Sequence, residues 1–168
     1  MAPIPIDGEG RFAGYASIFG ALDEGGDVVM PGAFAKSLAA RGRAGIRMLF
    51  QHDPKEPIGV WEKIVEDGFG LWVEGRLTGG VPRADALRRL IAARAIDGLS
   101  IGFRTVRSSR EAASGHRRLR EIDLWEISIV SFPMLPGARI ANPSKPAPDR
   151  RLVRSLDAAI SALRQTSH

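Results

Sequence analysis

The sequence predicts a single α+β domain in which about seven strands form a closed or nearly closed β-barrel flanked by helices. Three observations predict this fold class. Short apolar runs are separated by turn residues, two segments carry apolar residues at helical spacing, and the hydrophobic content of 44% over 168 residues suits one globular core. A barrel is favoured over an open sheet because closure removes the exposed strand edges.

Four strands and one helix are predicted in the first half of the chain. Residues 12–20 mix aromatic and small side chains, as strands do, and a turn-rich stretch covers residues 21–32. A short helix is expected over residues 31–40, where proline stands in the first turn and Phe34 and Leu38 are four apart. Three more strands are predicted at residues 46–51, 58–65 and 69–77, with turns at Asp53-Pro54 and Asp67-Gly68.

The second half contains the clearest helical pattern. Residues 82–95 have Leu87, Leu90 and Ile91 at helical spacing, and Gly98 is a candidate terminator of this helix. Residues 100–106 alternate as a strand and residues 108–117 form a polar loop. Two short strands, at residues 119–123 and 124–132, complete the predicted sheet.

Three regions follow from these patterns. Residues 1–141 are predicted to be the folded domain and residues 142–150 a proline-rich linker. Residues 151–168 are predicted to form a basic amphipathic helix, whose apolar stripe consists of Leu152, Leu156, Ile160 and Leu163.

Composition limits the chemistry and the setting. The absence of cysteine excludes disulfides, zinc-thiolate sites and a cysteine nucleophile. Neither a membrane-spanning run nor a signal peptide is recognisable, so a soluble, intracellular protein is expected. The net charge of +5 attracts anionic partners in general, but it gives little support for nucleic acid as the main partner.

Ser100 is a candidate nucleophile because residues 98–102 read GLSIG, which matches the G-x-S-x-G pattern. In α/β-hydrolases the serine of this pattern follows a strand and precedes a helix, whereas here a helix precedes it and a strand follows. We therefore reject the α/β-hydrolase fold. A serine between glycines at the start of a strand also fits an ordinary tight turn, so the pentapeptide alone does not decide its role.

His52 is the one histidine of three that the sequence places in a structured position. It ends the strand of residues 46–51, whereas His116 lies in a polar loop and His168 is the last residue. Its imidazole could accept the proton of Ser100, because an unperturbed histidine titrates near neutral pH. A histidine at a strand end can equally be structural.

Glu126 is the preferred candidate for the third group of a triad, which would fix the tautomer of the imidazole and stabilise the imidazolium. Strand alternation places four side chains on one face: Leu124, Glu126, Ser128 and Val130. A carboxylate in so apolar a strand needs either a partner or a surface position. Asp53 and Asp97 remain alternatives, although Asp53 precedes a proline and resembles a turn residue.

Several blocks, in order between residues 12 and 141, resemble the prohead protease family of tailed phages and gene transfer agents. They are GYASIFG, the D-x-V-x-PGAF run, QHDP followed by PIG, DGLSIGF, and LWEISIVSFPMLPGA. The family's histidine falls on His52 and its serine on Ser100. Glu126 corresponds in order and approximate spacing to the second histidine of the herpesvirus capsid-maturation proteases, which are similar to this family in fold and catalytic plan.

The resemblance implies a herpesvirus-protease-like fold, with histidine and serine on neighbouring strands and the acidic residue behind the histidine. It also implies an oxyanion or substrate loop over residues 133–139, with Leu135, Gly137 and Arg139 as candidates. The expected activity is that of a serine endopeptidase without cofactor or metal. Its expected substrates are the scaffolding segment of the major capsid protein and the protease itself, inside the procapsid assembling in the bacterial cytoplasm, with self-association and no membrane partner.

Two readings from other classes stay open. The chain could be a catalytically inactive β-barrel that acts as a scaffold or adaptor in particle assembly, in which case Ser100 and His52 are incidental. A nucleic-acid-binding barrel would instead place aromatic residues on one basic face. The three tryptophans lie in strands of mixed composition, so core packing explains them more simply.

Overall fold

The computed structural model describes residues 5–141, so the predicted linker and C-terminal helix lie outside the described residues. Within that range the chain forms seven strands, two α-helices and one short 3-10 turn. In chain order they are β1 (Arg11–Ile18), β2 (Asp27–Val29), α1 (Ala35–Arg41), the 3-10 turn (Arg43–Gly45), β3 (Arg47–Phe50), β4 (Asp53–Glu66), β5 (Gly70–Leu77), α2 (Pro82–Ala92), β6 (Gly98–Arg110) and β7 (Arg117–Val130).

The strands form one mixed sheet, and β7 is its central member. β1, β5, β4 and β3 are joined in that order by antiparallel pairing, and β3 then pairs in parallel with the second half of β7. The short strand β2 runs parallel to the first half of β7, on the same edge as β3. The other edge of β7 pairs with β6 along its whole length. Thus β7 contacts three strands that are far apart in sequence.

The predicted closed or nearly closed barrel is not what the structure shows, because the sheet curves into a half-barrel. Among residues 5–141 no strand ladder joins β1 to β6. The gap between them is bridged at one end by residues 138–141, through single bridges from Ile140 to Gly14 and from Arg139 to Gly98. Covering a strand edge with a chain segment is an alternative to closure. We call this gap the seam.

The core fills the concave side of the half-barrel. Side chains from β3, β4, β5, β6 and β7 lie in one cluster, and α2 adds Leu87 and Ile91. Helix α1 packs against β7, where the hydroxyl of Ser37 accepts a hydrogen bond of 2.8 Å from the main-chain N–H of Leu124. No helix among the described residues is long and apolar enough to cross a lipid bilayer.

Several predicted boundaries differ from the observed ones, and two of these differences have local reasons. Helix α2 ends at Ala92, and the turn after it contains Arg94 in the left-handed conformation. Gly98, predicted as the helix terminator, instead begins β6. There a Cβ atom would meet the carbonyl of Val130 and the ring of Pro133. The turn predicted at Asp53-Pro54 lies two residues earlier, at Gln51-His52, and Asp53 already begins β4.

Candidate active site

His52 lies directly beyond β3, in a turn that holds its main chain in an uncommon conformation. Gln51 and His52 have φ angles of 54° and 60°, in the left-handed region that non-glycine residues rarely adopt. The turn is fixed to β7, because the N–H of Gln51 donates to the carbonyl of Ile129 at 3.0 Å and the N–H of His52 to the hydroxyl of Ser128 at 3.1 Å. The amide side chain of Gln51 also donates to Ser131 at 2.8 Å.

Glu126 lies on β7 and faces the imidazole of His52. Its Oε1 is 2.6 Å from Nδ1 of His52, and its Oε2 accepts a hydrogen bond of 2.6 Å from the hydroxyl of Ser128. An ionised carboxylate only accepts, so Nδ1 carries the proton in this contact and Nε2 of a neutral ring is left as an acceptor. The Glu126 side chain is 12% exposed, while that of His52 is 42% exposed and can be reached from outside.

A β-bulge at Trp125 brings Glu126 to this face of the sheet. Gly102 pairs with Glu126 and Phe103 with Leu124, so Trp125 is an extra residue on β7. The prediction that Leu124 shares a face with Glu126 is therefore wrong. Leu124 instead lies in the core with Ile127 and Ile129, and Glu126 shares the opposite face with Ser128.

Gly102 provides the space that the Glu126 carboxylate occupies. A Cβ atom at Gly102 would overlap the carboxylate, and its distance to Cδ of Glu126 would be only 2.6 Å. The carboxylate therefore folds over a residue without a side chain to reach His52. Neither Gly102 nor Ser128 was predicted as a site residue. The only signal in the sequence was the Glu-x-Ser spacing, which puts the second residue on the same face of a strand.

Ser100 lies on β6, directly opposite Ser128 of β7, and is 5% exposed. Directly opposite residues of an antiparallel pair have Cβ atoms about 4.5–5.5 Å apart. His52 and Ser100 thus lie on either side of β7, rather than on neighbouring strands as predicted. In the described part of the chain Ser100 makes no direct hydrogen bond to His52. Ser128 is the residue that adjoins both.

The two alternative carboxylates have other partners. Asp53 accepts a hydrogen bond of 2.8 Å from the main-chain N–H of Lys55, as a turn residue does. Asp97 forms an ion pair with Arg139. Glu126 is therefore the candidate that lies against His52. Between residues 5 and 141 no group of three or more potential ligands could hold a metal ion.

The loop after β7 borders the seam beside Ser100. Met134 and Leu135 line a cleft of about 170 Å³ together with Ser100, Ala16 and Asp27. The carbonyl of Met134 accepts a hydrogen bond of 2.9 Å from the N–H of Glu24, which joins this loop to the one before β2.

Gly137 and Arg139, the other two predicted members of this loop, lie farther along it. Gly137 adjoins Ile18 of β1, whose methyl group would be 2.8 Å from an added Cβ. The guanidinium of Arg139 donates to Asp97 and to the carbonyl of Pro136. Neither Gly137 nor Arg139 lines the cleft beside Ser100.

Comparison with known proteins gives a consistent result. A family described as caudovirus prohead serine proteases matches residues 4–149 of the chain. The prohead protease of Enterobacteria phage HK97 is 37% identical over 135 residues, which cover 79% of this chain and 60% of that protein. The chain thus spans about 60% of the length of this relative.

Two solved structures are similar in fold. The bacteriophage T4 capsid assembly protease gp21 has a TM-score of 0.61 at 15% identity, over 79% of this chain and 90% of that one. The KSHV protease, in complex with a hexapeptide phosphonate inhibitor, has a TM-score of 0.52 at 11% identity, over 78% of this chain and 63% of that one. At these identities the likeness concerns the fold alone, and it confirms the predicted similarity to herpesvirus proteases.

Proposed function

Because the chain belongs to the caudovirus prohead serine protease family, we propose that it is a serine endopeptidase with Ser100 as nucleophile and His52 as general base. The observation that carries this proposal is the contact of 2.6 Å between Nδ1 of His52 and Glu126. It leaves Nε2 of the ring free to accept a proton. In this proposal the hydroxyl of Ser100, which lies opposite Ser128, supplies that proton.

The proposed reaction proceeds through an acyl-enzyme. Oγ of Ser100 attacks the scissile carbonyl carbon while Nε2 of His52 takes the hydroxyl proton. The imidazolium then gives that proton to the leaving amine as the C–N bond breaks. Water, activated by the same ring, hydrolyses the ester and restores Ser100. Glu126 keeps the ring in one tautomer and stabilises its charge during both steps.

The oxyanion of the tetrahedral intermediate requires fixed N–H donors close to Ser100. We place them in the loop that contains Leu135 and Gly137, because Leu135 borders the cleft that also contains Ser100. Arg139 has a supporting role in this proposal. Arg139 lies two residues beyond Gly137, and its guanidinium is paired with Asp97. It therefore fixes the end of the loop rather than reaching the scissile carbonyl.

The proposed substrates are the scaffolding segment of the major capsid protein encoded at the same locus and the protease itself. Cleavage would take place within the assembling procapsid of a phage or gene transfer agent, where self-association of the protease and contact with capsid protein bring substrate to the cleft. Support for this comes from the family and from the HK97 relative, which is a prohead protease.

Co-expression with the capsid protein tests the proposal. We expect Ser100→Ala and His52→Ala to abolish capsid-protein processing, since removing either member of such a pair costs at least about 10⁴-fold in rate. Matched controls are Ser109→Ala, another serine of β6, and His116→Ala, in the hairpin loop. Both should leave processing intact. Unchanged processing in the Ser100 and His52 variants would favour the inactive scaffold reading instead.

A further inference from the structure

Buried polar side chains are few in this fold, and half of them meet at one place. Six polar or charged residues are buried between residues 5 and 141: Ser17, Asp27, Ser37, Ser100, Glu126 and Ser128. The last three occupy facing positions of β6 and β7. Ser128 is completely buried, and nothing in the reaction described above uses its hydroxyl. A buried hydroxyl is retained at the cost of desolvation, so its contacts indicate what it does.

We propose that Ser128 is a positioning residue that holds Glu126 and His52 in the geometry needed to activate Ser100. The inference rests on the catalytic roles proposed above. Ser128 donates its hydroxyl proton to Oε2 of Glu126 at 2.6 Å and accepts the main-chain N–H of His52 at 3.1 Å. One hydroxyl therefore fixes both members of the pair whose side chains meet at 2.6 Å.

The two hydrogen bonds act on different degrees of freedom. The bond to Oε2 stops rotation of the Glu126 carboxylate, so that Oε1 stays on Nδ1 of the imidazole. The bond from the N–H of His52 stabilises a turn whose φ angle of 60° is costly for a non-glycine residue. Without Ser128 the largely buried carboxylate of Glu126, whose side chain is 12% exposed, would lose its second partner. We expect it to turn toward water and to leave the ring in a mixture of tautomers.

The rate at which Ser100 reacts with an alkyl fluorophosphonate measures this effect without any peptide substrate. Oγ of Ser100 forms a bond to phosphorus, fluoride leaves, and His52 takes the hydroxyl proton. We expect Ser128→Ala to lower the second-order rate constant by about 10- to 100-fold. This corresponds to about 1.4–2.7 kcal/mol of transition-state stabilisation, the range of a lost hydrogen bond to a charged group.

Ser37→Ala is the matched control. Ser37 is also buried and also bonds to β7, but it bonds to the main chain of Leu124 and not to Glu126. Both alanine variants should lower thermal stability, and only Ser128→Ala should slow the reaction of Ser100. Equal slowing in both variants would mean that loss of packing explains the effect, and the proposal would be wrong.

A double-mutant cycle with Glu126→Ala separates positioning from direct action on Ser100. If Ser128 acts through Glu126, Ser128→Ala should lower the rate constant clearly less in the Glu126→Ala background than in the native chain, and the remainder measures the bond from the main chain of His52. If the whole effect of Ser128→Ala persists in that background, Ser128 does not act through the carboxylate and the proposal fails.

The ¹⁵N chemical shifts of the His52 ring give a readout that does not depend on activity. They show which ring nitrogen carries the proton, and the sequence contains only three histidines to assign. At a pH at which the ring is neutral, the native chain should show the Nδ1–H tautomer. Ser128→Ala should show a mixture, and an unchanged tautomer would overturn the inference. A native chain that does not react with the fluorophosphonate would contradict the proposed function instead.

Discussion

At the scale of single residues, the site depends on the absence of a side chain at Gly102 as much as on the side chains of its other residues. Glu126 was predicted to need either a partner or a surface position because it lies in an apolar strand, and the structure gives it His52 as a partner. Gly102 could not be recognised from the sequence. Its role depends on the cross-strand register that sets it against Glu126, and that register includes a bulge. The left-handed turn at Gln51-His52 contains no glycine or asparagine, so the sequence does not indicate it.

Gly102→Ala should reduce activity without unfolding the protein. The added methyl group would displace the Glu126 carboxylate, and displacement of a catalytic group by about 1 Å can cost about 100-fold in rate. The control is Gly79→Ala, since a Cβ atom at Gly79 meets nothing within 4 Å. Fluorophosphonate labelling of Ser100 and a thermal melt would test both variants. Full labelling in Gly102→Ala would show that the carboxylate does not need this space.

At the scale of elements, strand β7 joins helix α1 to the rest of the sheet through Asp123. The guanidinium of Arg41 binds both carboxylate oxygens, at 2.7 Å and 2.9 Å, and the indole N–H of Trp125 donates to the same group at 2.7 Å. These hydrogen bonds, with the charge of Arg104 nearby, lower the pKa of Asp123 to about 2. The residue that forms the bulge therefore also helps to anchor α1.

Removing this carboxylate should change how stability depends on pH. The pKa of Asp123 is about 2 in the folded chain and about 3.9 in an unfolded one. Its contribution to stability is therefore complete above about pH 4 and is lost as the pH falls toward about 2. Asp123→Asn should lower the urea midpoint at pH 7, and the difference from the native chain should shrink below pH 4. A difference that is constant with pH would contradict this.

A sequence pattern can predict an element only when neighbouring residues determine it. Strands β2 and β7 depend instead on pairing with distant residues. Helix α2 was predicted from its own residues, and only its last turn differs. Strand β2 was predicted as part of a turn, because its three residues become a strand only by pairing with Arg117–Leu119 of β7. The strands predicted at residues 119–123 and 124–132 are one strand, since the bulge at Trp125 shifts the alternation without ending the pairing.

At the scale of the whole molecule, the fold continues past the last strand because residues 138–141 bridge the seam. Residues 138–141 bond to both sides of it. The N–H of Leu99 donates to the carbonyl of Ala138 at 2.9 Å, and the N–H of Ala141 donates to that of Ala13 at 2.7 Å. Gly14 permits this approach, because a Cβ atom there would overlap the carbonyl of Arg139. The sequence predicted neither the gap nor the segment that bridges it, and its count of seven strands agrees only because the missed strand β2 offsets the division of β7 into two.

Two truncations test where the folded domain ends. A chain that stops at Ala141 should keep its free energy of unfolding within about 0.5 kcal/mol of the full chain, if residues 142–168 are a separable linker and helix. A chain that stops at Gly137 loses the buried side chain of Ile140 and the bonds across the seam. It should be less stable by about 3–5 kcal/mol. Urea unfolding of the three chains decides, and equal stability of all three would refute the role of the bridge.

The position of β7 in the chain also has a consequence for timing. A growing chain is extended from its N-terminus, so His52 and Ser100 are synthesised before Glu126 and Ser128. The turn that contains His52 closes the β3–β4 hairpin, and its further bonds to Ile129 and Ser128 can form only after β7 has been synthesised. A nascent chain would therefore carry a serine and a histidine that do not yet cooperate. With Ser100 and His52 in their proposed roles, the topology delays their cooperation until β7 has been synthesised and has paired.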